Sequence, residues 1–128
     1  MKQVSIYPSE DVERIMKKPV VTVGPNDDVR QAAKLMQQHD IGCVVVVQEG
    51  KPLGVLTERD YVRMVAVGRL PDTKVSEVMS APPITCEANK KAAEAFVLMA
   101  TNRIDHLPIT KNGLLVGIVA VRDLFFWW

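Results

Sequence analysis

The sequence lacks the features that mark several large classes of protein. Its two cysteines, Cys43 and Cys86, are too few for a disulfide framework and have no metal-binding spacing. The longest apolar runs, such as residues 43–47, are far too short to cross a bilayer. The first residues hold no apolar stretch of signal-peptide length. We therefore expect a protein of the reducing cytoplasm, with no metal site and no association with a membrane.

The sequence also lacks an excess of positive or negative charge. The chain carries 16 Lys and Arg against 15 Asp and Glu, for a net charge of +1, so no overall field attracts nucleic acid. The motifs of P-loop, zinc-protease and serine-hydrolase sites are absent. The sequence holds only two histidines, His39 and His106, as candidate general bases, and no nucleophile–base set is evident. We therefore expect no catalytic residues and no enzymatic activity.

An internal repeat is present instead. Residues 12–61 align with residues 75–124 without a gap, and 13 of the 50 aligned pairs are identical. Many of the other pairs exchange one apolar residue for another. A period this long indicates two copies of one supersecondary unit.

Each copy predicts the element order β-α-β-β-α, which gives an α/β (α+β) fold. A short helical turn ends before Pro19 in the first copy and before Pro82 in the second, because proline cannot continue a helix. The longer helix that follows has apolar residues spaced i, i+3, i+4, i+7, and Asn26 or Asp27 is its expected N-cap. Its apolar face consists of Val29, Ala32, Ala33 and Met36 in the first copy and of Ala92, Ala95, Phe96 and Met99 in the second.

Each copy closes with a hairpin and a last helix. The hairpin turns are predicted at Gly50 and at Asn112–Gly113, a dipeptide typical of tight hairpins. The last helices are predicted to begin at Glu58 and at Val121.

One such unit has too few strands and helices to cover its own apolar face. We therefore expect two domains, residues 8–68 and 71–128, that pack sheet to sheet as one compact module. A pseudo-twofold axis between them would leave a cleft on each side of it.

A motif that occurs twice resembles that of a known family. GVLTERD (54–60) returns as GIVAVRD (117–123), so that Thr57 is replaced by Ala120, and LPI (107–109) opens the second hairpin. The duplicated unit resembles a pair of CBS domains, the cystathionine-β-synthase module. The resemblance implies a stand-alone sensor without a cofactor, which binds AMP, ADP, ATP or S-adenosylmethionine between the repeats. It also implies an unidentified enzyme or transporter as the regulated partner.

By this resemblance, the first cleft combines residues of both copies. Asp60 would hold the ribose diol with help from Thr57, and backbone N–H groups of the new helix would assist with an anion. Ile84 would line an adenine pocket, and Arg122 and His106 would face phosphates. The expected ligand-binding residues are Thr57, Asp60, Ile84, Thr85, Asp105, His106 and Arg122.

Several of these residues also have a purely structural interpretation. Asp60 in a first helical turn complements the helix dipole, which stabilises by about 0.3–1 kcal/mol. Arg122 can be a solvated helix residue, His106 a residue at the sheet surface, and Thr85 a β-former.

The second cleft is expected to be weaker, empty or selective for something else. Ala120 offers it no hydroxyl, and Gly42–Cys43 stand where the first cleft has Asp105–His106. Cys43 itself is expected to pack as a small apolar residue rather than act as a reactive thiol. The residues of this second cleft are Val21, Thr22, Gly42, Cys43, Arg59 and Asp123.

The sequence ends in four aromatic residues, FFWW (125–128). They cannot all face one core from one helix, and aromatic residues left outside a core mark an interface. We expect a homodimer that buries part of them. The other interpretation is that the sequence is cut from a longer chain.

Two other functions stay open at this point, an enzyme acting on an adenine nucleotide and a nucleic-acid-binding CBS protein. Turnover of an adenine nucleotide would favour the enzyme, and a steep salt dependence of binding to DNA or RNA would favour the nucleic-acid binder. The missing catalytic motifs and the small net charge argue against both, so a nucleic-acid partner is not expected.

Overall fold

The computed structural model describes the backbone of residues 4–6 and 10–127 and the side chains of residues 10–125. The strands in this part are β1 (Val4–Ile6), β2 (Thr22–Val23), β3 (Cys43–Gln48), β4 (Lys51–Thr57), β5 (Cys86–Glu87), β6 (His106–Lys111), β7 (Leu114–Ala120) and β8 (Phe125–Trp127). The helices are α1 (Val12–Ile15), α2 (Val29–His39), α3 (Glu58–Ala66) and α4 (Ala92–Asn102), with single 3-10 turns at Val75–Glu77 and Val121–Leu124. This order confirms the α+β fold class.

The chain forms two compact units that do not follow the sequence repeat. One unit consists of residues 21–83, and the other joins the described residues before 21 to residues 84–127. The helix α1 therefore belongs with the second copy, whereas the 3-10 turn at Val75–Glu77 belongs with the first copy. The domain boundaries at 8–68 and 71–128 stay a prediction.

The unit of residues 21–83 is built on a three-stranded sheet with the order β2-β3-β4. The strand β2 runs parallel to β3, and β4 returns antiparallel. The predicted apolar spacing of α2 is confirmed, because Val29, Ala32 and Met36 pack with the sheet residues Val44, Val46 and Leu56. Ala33 is only partly buried.

The N-cap of α2 differs from the prediction. Asp28 caps the helix, and its Oδ1 accepts a hydrogen bond from the backbone N–H of Gln31 at 2.8 Å. Asp27 accepts instead from the N–H of Gly24 at 2.7 Å. The assignment of Asn26 or Asp27 as the cap is therefore wrong, because Asp27 is engaged in the preceding turn.

The second unit contains the sheets β5-β6-β7 and β1-β8. The strand β5 is parallel to β6, and the β6–β7 and β1–β8 pairs are antiparallel. Its core joins Ala92, Ala95 and Met99 of α4 to Leu107, Ile109, Val119 and Leu124. Phe96 was predicted to lie on the core-facing side of α4, and this prediction is wrong. It is 36% exposed, and its ring meets the Phe125 ring edge-on, with 5.8 Å between the centroids.

The last helix of the second copy begins at Val121 as predicted, but it is a single 3-10 turn. Residues 125–127 then extend as β8 and pair with β1, in keeping with the preference of aromatic residues for strands. Residues 125–127 are therefore in a strand rather than a helix. Trp128 and the side chains of Phe126 and Trp127 lie outside the described residues, and the homodimer stays a prediction.

Both hairpin turns lie where the sequence predicts them. Glu49, Gly50, Asn112 and Gly113 all have positive φ, the conformation of a type I′ turn that matches the twist of the flanking strands. Among the residues that the structure describes, no helix is long and apolar enough to cross a membrane.

Tyr61 links α3 to the start of α2. Its hydroxyl donates a hydrogen bond of 2.6 Å to the carbonyl of Val29. Burial, followed by the nearby carboxylates of Asp28 and Asp60, raises the pKa of Tyr61 to about 12. The folded protein therefore holds the phenol proton more tightly than the unfolded chain does.

Tyr61→Phe is expected to lower the free energy of unfolding at neutral pH by about 1 kcal/mol, because it deletes this hydrogen bond. Since the folded-state pKa is raised, the wild type should lose stability as pH rises from 10.0 towards 12. Urea unfolding across that interval should show a steeper decline for the wild type than for Tyr61→Phe. Equal declines in the two proteins would contradict the assignment.

Candidate functional site

One group of the predicted site residues lies at one end of the sheet β2-β3-β4, the edge at which β2 and β3 begin and β4 ends. Cys43, the first residue of β3, pairs with Thr57, the last residue of β4. The backbone N–H of Glu58 donates to the carbonyl of Gly42 at 3.2 Å. We call this group the first edge; it comprises Val21, Thr22, Gly42, Cys43, Thr57, Arg59 and Asp60.

The remaining predicted residues lie at the corresponding edge of the sheet β5-β6-β7. His106 pairs with Ala120, and the N–H of Val121 donates to the carbonyl of Asp105 at 3.0 Å. We call this group the second edge; it comprises Ile84, Thr85, Asp105, His106, Arg122 and Asp123. Each expected cleft draws residues from both edges, and that combination stays a prediction.

Asp60 is the most constrained polar residue of the first edge. Its side chain is 3% exposed. One oxygen, Oδ2, accepts from the N–H of Thr57 at 2.9 Å and from its hydroxyl at 3.2 Å. The other, Oδ1, accepts from the hydroxyl of Ser80 at 2.9 Å and lies 3.6 Å from Nη1 of Arg63. The carboxylate is therefore fully engaged within its own unit.

Thr57 acts first as a helix cap. Its hydroxyl oxygen accepts from the N–H of Asp60 at 3.4 Å while the Asp60 carboxylate accepts from the N–H of Thr57. This reciprocal capping box satisfies two backbone donors at the start of α3. A ligand that used the Thr57 hydroxyl would have to share it with Asp60.

Asp123 is held by fewer donors than Asp60. Its Oδ2 accepts from the N–H of Ala120 at 2.8 Å, and its Oδ1 lies 3.4 Å from Nζ of Lys17, with the Asp123 side chain 11% exposed. Ala120 provides no side-chain cap. A carboxylate offers about four lone-pair positions, so Asp123 keeps acceptor capacity that Asp60 has already used.

The sequence reasoning missed Ser80 and Lys17, the residues that contact these two carboxylates. Both are fixed by paired backbone hydrogen bonds, Ser80 to Val55 at 2.8 and 3.0 Å and Lys17 to Ile118 at 2.8 and 3.0 Å. A signal was available, because the two residues align in the repeat and each directly follows one of the identical methionines.

The other predicted residues differ in their surroundings. His106 Nδ1 lies 2.9 Å from Oδ1 of Asp105, and Arg122 and Arg59 are exposed. Cys43 is buried, and its thiol contacts the carbonyl of Val44 at 3.7 Å. Among the described side chains, no group of three His, Cys, Asp or Glu residues is placed to hold a metal ion.

This arrangement, with an aspartate at a strand-to-helix junction in each of two repeated units, defines a CBS-domain pair. The CBS domain model matches residues 11–67 and 75–127, and the chain belongs to that family. Over 114 residues the chain is 44% identical to the CBS domain-containing protein YhcV of Bacillus subtilis. The alignment covers 88% of this chain and 81% of that protein.

Solved structures show the same fold. The CBS domain protein PAE2072 from Pyrobaculum aerophilum, complexed with AMP, matches with a TM-score of 0.85 and 26% identity over 90% of each chain. The CBS domain pair of protein MJ0100, in complex with 5′-methylthioadenosine and S-adenosyl-L-methionine, matches with a TM-score of 0.82 and 27% identity. That match covers 91% of this chain and 93% of that one. The chain is a CBS pair, which is a regulatory module.

Proposed function

We propose that this CBS pair senses an adenosyl ligand, either AMP, ADP, ATP or S-adenosylmethionine, which it binds with residues of the first and second edges. The observation that carries the proposal is the pair of aspartates, Asp60 and Asp123, at equivalent strand-to-helix junctions. The ligands named for the similar proteins PAE2072 and MJ0100 support it.

The chemistry of the two carboxylates suits a ribose. A diol presents two adjacent hydroxyl donors, and hydrogen bonds from such donors to a carboxylate are charge-assisted. At Asp60 two of the present donors are the hydroxyls of Thr57 and Ser80. Both can rotate, so a ribose could replace a hydroxyl with a hydroxyl without leaving the buried charge unsatisfied. At Asp123 the diol could use acceptor positions that are not yet occupied.

Residues of the second edge would bind the rest of the ligand. In this proposal Ile84 and Thr85 contact the adenine, while Arg122 and His106 face the phosphates. Arg122 is exposed and makes no ion pair among the described residues, so its guanidinium is available for a phosphate in the bidentate geometry that arginine favours.

Calorimetric titration with AMP, ADP, ATP, S-adenosylmethionine and adenosine tests the proposal, with GMP as the base-mismatched control. We expect saturable binding of at least one adenosyl compound and weaker binding of GMP. Chromatography of the ligand after prolonged incubation should recover it unchanged if the module only senses. Binding of none of the five adenosyl compounds would refute the function.

A further inference from the structure

Glu58 places a carboxylate on the first edge that the ribose-binding proposal does not use. A Cβ atom built on Gly42 would lie 2.7 Å from Oε1 of Glu58 and 3.4 Å from its Cδ. The Glu58 side chain therefore lies against Gly42, beside the start of β3. Gly42 has no side chain of its own, so the surface at this point is formed by the carboxylate of Glu58.

This carboxylate has no counter-charge among the described residues. Glu58 takes part in none of their ion pairs. On the same helix, Arg63 pairs with Asp60, and Arg59, although adjacent in sequence, makes no ion pair with Glu58. An anion approaching Gly42 would therefore meet an unpaired negative charge.

The second repeat arranges the same chemistry differently. The residues equivalent to Gly42 and Glu58 are Asp105 and Val121. At this pair of positions each repeat therefore has one acidic side chain, just after the last β-strand in the first repeat and just before the first hairpin strand in the second. In the second repeat the Asp105 carboxylate contacts the His106 ring at 2.9 Å. In the first repeat, Cys43 stands where His106 would be, so the first edge has no imidazole at this position.

The geometry points to Glu58 as a specificity-determining residue that disfavours phosphate-bearing ligands at the Gly42 end of the first edge. It favours an uncharged or cationic adenosyl compound there, of the adenosine or sulfonium type, because like charges brought together at a binding surface are repelled. This inference rests on the proposed function and adds to it the charge of the preferred ligand.

Glu58→Gln removes the charge and keeps the size of the side chain, and Glu58→Lys reverses the charge. Glu49→Gln is the matched control, because Glu49 is an exposed glutamate in the β3–β4 turn. Calorimetry gives the ratio of the AMP and adenosine dissociation constants, two ligands that differ only in the phosphate. We expect the ratio to fall about tenfold in Glu58→Gln, further in Glu58→Lys, and to stay within about twofold in Glu49→Gln.

The outcomes separate the two proposals. If adenosine and AMP bind but the ratio is the same in all four proteins, Glu58 does not set ligand charge, while the sensing function stands. An effect that does not follow the order Glu, Gln, Lys would also overturn the inference, because it would be steric rather than electrostatic. If the wild type binds ADP or ATP but neither adenosine nor AMP, the inference fails while the sensing function stands. If it binds none of the five adenosyl compounds, the proposed function fails and the inference fails with it.

Discussion

Asp60→Ala is expected to lower the free energy of unfolding by about 2–4 kcal/mol. The change deletes the acceptor for the N–H and hydroxyl of Thr57 and for the hydroxyl of Ser80. The site is buried, so these donors cannot all turn to water, and donors left unsatisfied cost more than the hydrogen bonds themselves are worth. Chemical denaturation in urea measures the loss directly.

Asp123→Ala is the matched comparison. Asp123 accepts one backbone hydrogen bond and contacts an exposed lysine, Lys17, and exposed ion pairs stabilise little. We expect a loss of about 1 kcal/mol for this variant. Equal losses for the two variants would mean that the additional donors at Asp60 do not stabilise the fold.

The same variants separate the capping role of Asp60 from its proposed ligand role. Under conditions where the variant is folded, Asp60→Ala should weaken adenosyl-ligand binding at least about tenfold. Ser80→Ala removes one donor and leaves the carboxylate in place. It should therefore lower the free energy of unfolding without weakening ligand binding. Binding unchanged in Asp60→Ala would leave that residue with a structural role alone.

The sequence predicted the elements whose signals are local or repeated. The spacing of Val29, Ala32 and Met36 identified α2, and Asn112–Gly113 identified a hairpin turn, because periodicity and turn chemistry are properties of neighbouring residues. The gapless repeat indicated the duplication and placed Asp60 and Asp123 at equivalent junctions.

Features that depend on tertiary contacts were not predicted. The sequence could not show that α1 packs with the second copy, or that the short turn at Val121–Leu124 is followed by a strand that pairs with β1. The contacts of Asp60 and Asp123 could not be predicted for the same reason. Ser80 and Lys17 reach these carboxylates only because a backbone bridge fixes each of them beside a strand of the hairpin.

The glycine that opens each copy of the repeated motif, Gly54 or Gly117, is explained by a methionine that packs against it. A Cβ on Gly54 would lie 2.7 Å from Sδ of Met79 and 2.8 Å from the carbonyl oxygen of Ser80. A Cβ on Gly117 would collide with Sδ of Met16 and lie 2.6 Å from its Cγ. No side chain larger than hydrogen fits either position without a shift of its neighbours.

Gly54→Ala and Gly117→Ala are each expected to lower the free energy of unfolding by about 2–3 kcal/mol, as overpacking of a closely packed site does. Gly24→Ala is the control, because its Cβ would meet only Asp27 Oδ2 at an ordinary 3.6 Å. Pairing each change with truncation of the methionine tests the cause, since the truncation energies of contacting residues do not add. Met16→Ala should largely remove the stability loss caused by Gly117→Ala. Met79→Ala should remove only part of the loss caused by Gly54→Ala, because the carbonyl of Ser80 stays in place. Urea unfolding of the single and double variants gives both coupling energies, and additive losses at both positions would show that the methionines are not what excludes a larger residue.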